Sequence, residues 1–481
     1  MQHYRPAHKH SSFFRLCSRP FAILCSISLL LAQCWLVPAH AAYLGSIGIK
    51  DEKEMGRQFA VMVRAKLPLI DDPEVKLYVQ GVVDTLAKTM PPQPFPFIAG
   101  VILHNTMNAF AVPGGQIFIF SGLMMQLDSE AELAGVMAHE MAHVTQRHMA
   151  SRMEKAQAVT IGSLLLAVAG IALGGGGAAA LGAMGAGQSA MLNYSRVDET
   201  EADSQGYQYM LKAHYPPQAM AQGFQKIRQK SWIGGGGSLP AYLSTHPDLG
   251  ERISNIMARV QAAPAAVRDR SVDNRRFMRV QTLLWGRYGD EAAALQRFSK
   301  ENKNIALAQM GKGLVYTRMN NVPEALQAFT TALRLQPNDA LILREAGIFH
   351  YKLGDKHLAD QYLNAAMHSD RQDYMARYYY ARLMDETGKS REALPYYQEV
   401  LRYVPEDSEV HASYARSLGQ NGQNFLAHLH LAYSALYMND KKKTARLLEK
   451  AKSAQRTAAD KQALNKFETI YKERKEIWEE S

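Results

Sequence analysis

Cysteine is nearly absent from this sequence. Only three occur among 481 residues, and all of them, Cys17, Cys25 and Cys34, lie within the first 41 positions. The rest of the chain therefore has no thiol for a disulfide, for nucleophilic catalysis or for metal binding. Its stability has to come from core packing, or from a metal that other side chains hold.

A concentrated patch of positive charge is also absent. The formal net charge is +10, but the basic residues are scattered, and no basic stripe is interleaved with aromatic residues. The short lysine run at 441–443 is typical of a solvated helix end. The sequence therefore predicts no nucleic-acid binding.

The first 41 residues have the pattern of a secretory signal peptide. They open with four cations and no acid, continue with an apolar run over residues 21–36, and end with the small residues Ala39 and Ala41. The apolar run is shorter than a membrane-spanning helix normally needs. We predict cleavage after Ala41 and export of a mature chain whose net charge is +6. The alternative is an uncleaved membrane anchor.

The length predicts more than one domain, because 481 residues exceed what a single hydrophobic core usually organises. Residues 42–262 mix helical and strand patterns, whereas residues 273–481 are helical throughout. Residues 263–272, which begin with Ala263 and Pro264, are predicted to be a linker between the two domains.

In the first domain, hydrophobic periodicity and turn residues predict mostly helices with a small sheet. Strands are predicted at 97–104 and 116–121, with a turn at 113–115 before the second strand. The predicted helices span 51–66, 74–90, 129–153, 197–212, 217–230 and 248–260.

An apolar segment at 159–190 interrupts this pattern. Four consecutive glycines at 174–177 divide it, and its first limb is too short to span a bilayer comfortably. We predict a helical hairpin that is buried or that contacts a membrane surface peripherally.

The helical domain has an internal period of 34 residues, clear over about 306–441. Small residues recur at two positions of each unit, which are Gly313, Gly347, Ala381 and Ala415, and Ala325, Ala359, Ala393 and Ala427. This period and this placement of small residues resemble tetratricopeptide repeats, in which pairs of helices stack into a superhelix.

The predicted helix at 129–153 contains a metal-binding pattern, His139-Glu140-x-x-His143. Two histidines four residues apart lie one turn apart on the same helix face, which allows two imidazoles to bind one zinc ion. Glu140 can then act as a general base toward a water molecule that the zinc activates. Histidines outside the motifs, such as His148, have no partner at ligand spacing and are expected to be structural.

An acidic cluster about 56 residues later offers a third zinc ligand. Helical geometry places Glu199 on the same small and apolar face as Asp203 and Gly206, whereas Glu201 lies on a polar face. We predict that Glu199 binds zinc and that Asp203 hydrogen-bonds to a ligand histidine. Glu201 is expected to serve only the helix dipole.

Four stretches together resemble the zinc metallopeptidases that include HtpX and the CAAX-prenyl protease, and within them the periplasmic subgroup that carries tetratricopeptide repeats. The matching stretches are 108–115, 139–143, 199–203, and 244–247 with Arg252. They occur in the family's order. With the signal peptide and the repeats, the resemblance covers nearly the whole mature chain.

This resemblance implies an α+β zincin-like domain, mostly helical with a small sheet, followed by an all-α tetratricopeptide superhelix. It implies a periplasmic endopeptidase with one Zn²⁺ per chain, bound by His139, His143 and Glu199. It also implies that either Asn108–Val112 or Gln116–Ser121 pairs with an extended substrate. The implied clients are misfolded or unassembled outer-membrane proteins, and the repeats would bind them or the outer-membrane assembly machinery.

Two further residues have open roles. His246 either fills the open zinc position and holds the enzyme inactive, as the resemblance implies, or is a structural histidine beside Pro247. Arg252 either steadies the oxyanion of the reaction or is an ordinary ion-pair partner. Ser204 departs from the family, which often has a basic residue after the acidic motif.

Two other functions stay open. The chain could act mainly as a repeat-based chaperone or binding module, with the zinc site held closed by His246. Alternatively, it could be a membrane-associated protease that reaches lipid-embedded substrates through residues 159–190.

Overall fold

The computed structural model describes residues 47–156, 194–233 and 241–480. The predicted signal peptide with its three cysteines lies outside the described residues, and so does the predicted hairpin at 159–190. Among the helices that are described, none is both long enough and apolar enough to cross a membrane.

The first part of the described chain follows the predicted order of helices and strands, with one strand and two short helices, Ser121–Gln126 and Ala241–Thr245, added and one predicted helix divided. Local sequence sets the helix starts, since the side chains of Asp72 and Ser129 accept backbone N–H groups at two of them. The elements are α1 (Ile49–Lys66), α2 (Pro73–Ala87), β1 (Ile98–Ile102), β2 (Ala109–Val112), β3 (Gln116–Phe120), α3 (Ser121–Gln126), α4 (Glu130–Thr145), α5 (His148–Ala156), α6 (Arg196–Lys212), α7 (Gln218–Ile233), α8 (Ala241–Thr245) and α9 (Leu249–Ala262).

The sheet has three strands in the order β1-β3-β2. β1 pairs with β3 in parallel and β2 pairs with β3 antiparallel, so β3 has no free edge. β2 is the additional strand, since its four residues fall in a segment predicted to be a connection. Gly114 and Gly115 make the β2–β3 turn with φ of 81° and 82°, a conformation that glycine adopts readily.

The helix predicted at 129–153 is two helices, so that prediction is wrong at residues 146 and 147. Arg147 has a positive φ of 55°, which ends α4 before α5 begins. Its side chain pairs with Glu52 of α1 at 2.6 Å and donates to the carbonyl of Ile47 at 2.6 Å. These contacts with a distant part of the chain stabilise a turn that the local pattern does not predict.

Helix α4 runs through the middle of the first part, and every residue from 131 to 144 is buried. It packs closely against α6 and α7 at positions where a glycine leaves no side chain between the helices. A Cβ on Gly135 would lie 2.6 Å from Cα of Met220, and one on Gly206 would lie 3.2 Å from the carbonyl of Ala138. The ionisable side chains of α4 are therefore held away from water.

Beyond α10 (Ala265–Arg268), which lies within the predicted linker, the described chain is helical. The domain boundary at 263–272 stays a prediction. The helices are α11 (Arg275–Tyr288), α12 (Glu291–Lys300), α13 (Ile305–Arg318), α14 (Val322–Leu335), α15 (Ala340–Leu353), α16 (Lys356–Ser369), α17 (Tyr374–Glu386), α18 (Ser390–Tyr403), α19 (Ser408–Gln420), α20 (Asn424–Tyr437), α21 (Lys441–Ala454) and α22 (Ala458–Glu480).

The small residues that recur every 34 positions lie where paired helices touch. A Cβ on Gly313 would lie 2.8 Å from the ring of Phe329, and one on Gly347 would lie 2.8 Å from Leu363. The alanines at the second position of each unit are buried as well. The prediction of an α+β domain followed by an all-α repeat superhelix is confirmed.

The repeats contact the first part near both ends of the array. In α11, Trp285 donates from its indole N–H to the carbonyl of Met125 at 3.0 Å. In α22, Arg474 donates to the carbonyl of Val61 in α1 at 2.9 Å.

Between these contacts lies a buried ion cluster of five side chains. Arg344 is 1% exposed and contacts Asp72, Asp373 and Glu345 at 3.0, 3.3 and 2.8 Å. Arg287 contacts Asp72 at 2.9 Å and Glu345 at 2.6 Å. Asp72, the N-cap residue of α2, thus pairs with both arginines, which belong to the helical array.

Candidate metal centre

Four buried side chains converge beside α4. This helix supplies His139 and His143, α6 supplies Glu199, and the residue that follows α8 is His246. Each is at most 2% exposed, and one donor atom of each lies within 4.8 Å of the other three. The structure thus brings together all the residues that the sequence suggests as ligands.

The donor atoms of this cluster face one another. Nε2 of His139 lies 3.0 Å from Nε2 of His143 and 3.3 Å from Nδ1 of His246. That Nδ1 lies 2.9 Å from Oε1 of Glu199. Burial lowers the pKa of His139 to about 4, which keeps its ring neutral near pH 7. Three imidazole nitrogens facing one carboxylate offer lone pairs to a cation.

This donor set fits zinc. Zinc commonly takes histidine nitrogens and a carboxylate oxygen in a four-coordinate site, whereas calcium and magnesium prefer oxygen ligands throughout. Three of the four donors are nitrogens. The residues present therefore fit the metal that the motif suggests.

Asp203 lies behind the ligands and contacts His139. Its Oδ1 is 3.0 Å from Nδ1 of His139, which leaves Nε2 of that ring facing the other donors. A carboxylate in this position fixes the tautomer and the orientation of a ligand histidine. The sequence predicts this contact, because Asp203 lies on the same helix face as Glu199.

Arg252 ties these groups together from α9. It donates from Nε and Nη2 to the two carboxylate oxygens of Asp203, at 2.7 Å each, and it also contacts Glu199. Its guanidinium lies 4.8 Å from the centre of the Phe224 ring. Arg252 is 5% exposed, and these contacts suit a role in positioning the neighbouring side chains. Its role toward an oxyanion stays a prediction.

His148 approaches the site from the start of α5. Its Nδ1 lies 2.9 Å from Nδ1 of His143, and its Nε2 lies 3.3 Å from Oε2 of Glu201. His148 is thus a structural neighbour of His143 and lies outside the group of four donors. The expectation that Glu201 serves only the helix dipole is wrong, because its side chain contacts His148. The turn at Arg147 directs His148 back toward His143, which a continuous helix would not do.

Glu140 lies beside the donors and is 1% exposed. Its Oε1 accepts no hydrogen bond from the part of the chain that the structure describes, and Nε2 of His246 lies 3.6 Å away. Burial raises the pKa of Glu140 to about 7. A carboxyl group with a pKa near the working pH can both accept and return a proton.

Two tyrosines enclose the cluster. Tyr194 stacks on His143 with ring centres 3.8 Å apart, and Tyr242 stacks on His246 at 4.3 Å. The backbone N–H of Tyr194 donates to the carbonyl of Thr245 at 3.1 Å, which fastens the segment before α6 to the segment of His246. Neither tyrosine belongs to a ligand motif, so the sequence carries no sign of this role.

Comparison with known families agrees with this geometry. Residues 71–260 match peptidase family M48, and residues 295–442 match the tetratricopeptide repeat. The chain carries a metallopeptidase domain of family M48 followed by a tetratricopeptide-repeat domain, which confirms the resemblance found in the sequence.

Two bacterial relatives are similar to more than half of this chain. The chain is 32% identical over 313 residues to the putative beta-barrel assembly-enhancing protease of Vibrio cholerae serotype O1, over 62% of this chain and 63% of that protein. It is 30% identical over 311 residues to the beta-barrel assembly-enhancing protease of Escherichia coli strain K12, over 62% of each. The matches thus span less than two thirds of these relatives' length.

A shorter match involves a eukaryotic relative. The chain is 36% identical over 156 residues to the mitochondrial metalloendopeptidase OMA1 of Schizosaccharomyces pombe, over 32% of this chain and 44% of that protein.

Proposed function

We propose that this chain is a periplasmic zinc endopeptidase with a chaperone-like, quality-control role in outer-membrane protein assembly. The convergence of His139, His143, Glu199 and His246 beside the buried Glu140 is the observation that carries the peptidase activity. The names of the two bacterial relatives support the cellular role. The signal-peptide pattern supports export.

In this proposal His139, His143 and Glu199 hold the zinc ion. When bound, zinc supplies Lewis acidity, which polarises the peptide carbonyl and lowers the pKa of a water molecule. Glu140 accepts the proton of the attacking water and delivers it to the leaving amine. Asp203 keeps His139 oriented throughout.

The substrate would lie along β2. The outer edge of Ala109–Val112 has no strand partner among the described residues, whereas β3 is paired on both sides. An extended peptide can add to such an edge through backbone hydrogen bonds. Because β2 packs against α4, a peptide bound there is brought toward Glu140.

The arrangement described is a closed site. His246 contacts Glu199 and also lies next to Glu140, so its ring occupies the space beside the general base. Catalytic zinc sites keep one position open for water. His246 would therefore have to withdraw before a peptide is cleaved, and the Tyr194–Thr245 hydrogen bond would break with it.

A second function has support from the same closed geometry. With four protein ligands zinc would be structural, and the chain would act as a chaperone or binding module through its repeats. The two functions differ in whether His246 leaves the site.

The test compares the mature wild type with Glu140→Gln and His246→Ala, by zinc content and by cleavage of unfolded casein. We expect one zinc per chain in the wild type and in Glu140→Gln. Cleavage should fall at least about 100-fold in Glu140→Gln, because the general base is lost, and should rise in His246→Ala. His357→Ala, at an exposed histidine of the repeats, is the matched control and should behave as the wild type.

Other outcomes would redirect the assignment. Zinc without cleavage in every variant would favour the binding module, and absence of zinc would refute the metal site. In a bacterial strain that lacks the gene for this protein, expression of the wild type should reduce accumulation of an unassembled outer-membrane protein. If Glu140→Gln does so equally well, the cellular role depends on binding and not on cleavage.

A further inference from the structure

The two histidines of α4 that face the donor cluster are held from behind by different kinds of side chain. Behind His139 lies the carboxylate of Asp203, whose Oδ1 is 3.0 Å from Nδ1 of the ring. Behind His143 the corresponding partner is a second imidazole, since Nδ1 of His148 lies 2.9 Å from Nδ1 of His143. The orientation of His143 therefore depends on a residue outside the donor set.

The direction of the hydrogen bond between the two imidazoles follows from the position of His143. Its Nε2 faces the cluster, 3.0 Å from Nε2 of His139, so this nitrogen has to keep its lone pair for a metal ion. A neutral His143 ring then carries its proton on Nδ1 and donates it to Nδ1 of His148. An acceptor at this point fixes both the tautomer and the rotation of the ring.

The outer nitrogen of His148 completes a chain of hydrogen bonds. With Nδ1 as an acceptor, a neutral His148 ring carries its proton on Nε2, which lies 3.3 Å from Oε2 of Glu201. Glu201 is half-exposed, whereas His148 is buried. Glutamine also offers an oxygen acceptor, so Glu201→Gln keeps this outer contact. The chain thus runs from the cluster to a side chain at the surface.

The surrounding backbone holds His148 in this position. Arg147, the residue before it, has a positive φ and pairs with Glu52 of α1. The first turn of α5 closes on Arg147, whose carbonyl accepts the N–H of Ser151 at 2.9 Å. The ring of His148 stands at 71° to that of His143, with centres 5.0 Å apart. The imidazole is therefore fixed from both sides.

We infer that His148 is a positioning residue for His143, whose Nδ1 proton it accepts so that Nε2 stays directed at the metal. The inference rests on the proposed zinc site and gives His148 the part that Asp203 has beside His139. The two partners differ in charge. A neutral imidazole adds no negative charge behind its ligand, so His148 acts by orientation.

Three variants of the mature chain separate the hydrogen bond from the packing of the ring. His148→Asn keeps the acceptor, because Oδ1 of asparagine lies as far along the side chain as Nδ1 of histidine. His148→Gln carries its amide one bond further out, level with Nε2, and keeps only a partner for Glu201. His148→Leu fills similar space and keeps neither contact.

Two measurements report on the metal ligands. Competition with a chelator gives zinc affinity, and the visible absorption of the cobalt(II)-substituted protein reports ligand geometry. We expect zinc affinity to fall about tenfold in His148→Leu and His148→Gln and to stay within about twofold of the wild type in His148→Asn. The cobalt spectrum should change in the first two variants only. His357→Leu, at an exposed histidine of the repeats, should change neither.

Thermal unfolding of the metal-free proteins controls for packing. Wild-type zinc affinity in all three variants would overturn the inference, and so would an equal loss in all three, because the acceptor would then be irrelevant. Losses of affinity that follow the melting temperature of each variant would also overturn it.

Casein cleavage separates this inference from the proposed peptidase. Cleavage by the wild type, together with equal zinc affinity in the variants, would refute the role of His148 alone. Zinc affinities in the expected order without any cleavage would refute only the peptidase. A wild type that binds no zinc would refute both.

Discussion

The side chains around Glu140 determine how its carboxyl group behaves. Burial disfavours the ionised form and raises its pKa to about 7, from 4.5 in water. The helix that carries Glu140 is buried along residues 131–144, and Oε1 of Glu140 accepts no hydrogen bond from the described part of the chain. A buried carboxyl group of this kind makes the stability of the metal-free protein depend on pH.

In metal-free protein, Glu140→Gln should be stabilising at pH 8 and nearly neutral at pH 4.5. Below pH 4.5 the carboxyl is protonated in the folded and unfolded states. As the pH rises toward 7, only the unfolded state ionises, which lowers the free energy of unfolding by up to about 3 kcal/mol. Glutamine does not ionise, so the variant keeps the free energy of unfolding that the wild type loses. Thermal unfolding across this pH range measures it, with the exposed Glu251→Gln as control.

Asp203→Asn should reduce zinc affinity about 10- to 100-fold, because the carboxylate that orients His139 loses its charge. Glu201→Gln is the matched control. Glu201 contacts His148 rather than a ligand and is half-exposed, so its variant should change affinity far less. Competition with a chelator measures both, and equal effects would show that Asp203 has no special role.

The sequence predicts the four converging side chains better than their surroundings. Glu199 can be distinguished from Glu201 because helical geometry places only Glu199 on the small and apolar face. His148 cannot be found in this way, since its contact with His143 needs the turn at Arg147. Tyr194 and Tyr242 are likewise recognisable only once the segments before α6 and around His246 are seen together.

At the scale of helices and strands, close packing around α4 fixes where His139 and His143 lie. Gly135 is one turn before His139 and meets the backbone of α7 at Met220. The two helices can approach this closely only because Gly135 has no side chain. Displacement of α7 would therefore also move α4 and the histidines on it.

Gly135→Ala should destabilise the protein by about 1–3 kcal/mol, because the added methyl must push against backbone atoms. Gly81→Ala is the control, since a Cβ there meets nothing within 4 Å. Alanine favours the helix at such a position, and we expect a gain of about 0.5–1 kcal/mol. Denaturant unfolding of both variants measures the difference. A stable Gly135→Ala protein would mean that α7 moves without cost.

Periodicity predicts most helices within a few residues but not the break between α4 and α5. The pattern continues through residue 146, and the break depends on contacts of Arg147 with residues about 100 positions earlier. Strand β2 is missed for another reason. Its four residues are too few for a period to be seen, and only pairing with β3 identifies them.

At the scale of the whole molecule, the buried ion cluster joins the peptidase domain to the repeats. Its members lie as far apart in sequence as Asp72 and Asp373. Charged residues with such spacing are expected on solvated helix faces, so the sequence does not predict that Arg344 is among the most buried side chains.

Arg344→Met should destabilise the protein by about 3–5 kcal/mol, because Asp72 and Asp373 lose a shared cation and remain buried. Arg275→Met is the control. Arg275 pairs with Asp273 on the surface, where water screens an ion pair, so its variant should hardly change stability. Denaturant unfolding distinguishes them, and a small effect of Arg344→Met would indicate that water enters the cluster.

The helical array is held by Trp285 near one end and by Arg474 near the other. A solenoid fixed at one end behaves as a spring, whose pitch and curvature can follow its ligand. One that is clamped at both ends has to keep its span. The inner surface of these repeats should then select partners by size, because its span cannot adjust to wrap around them.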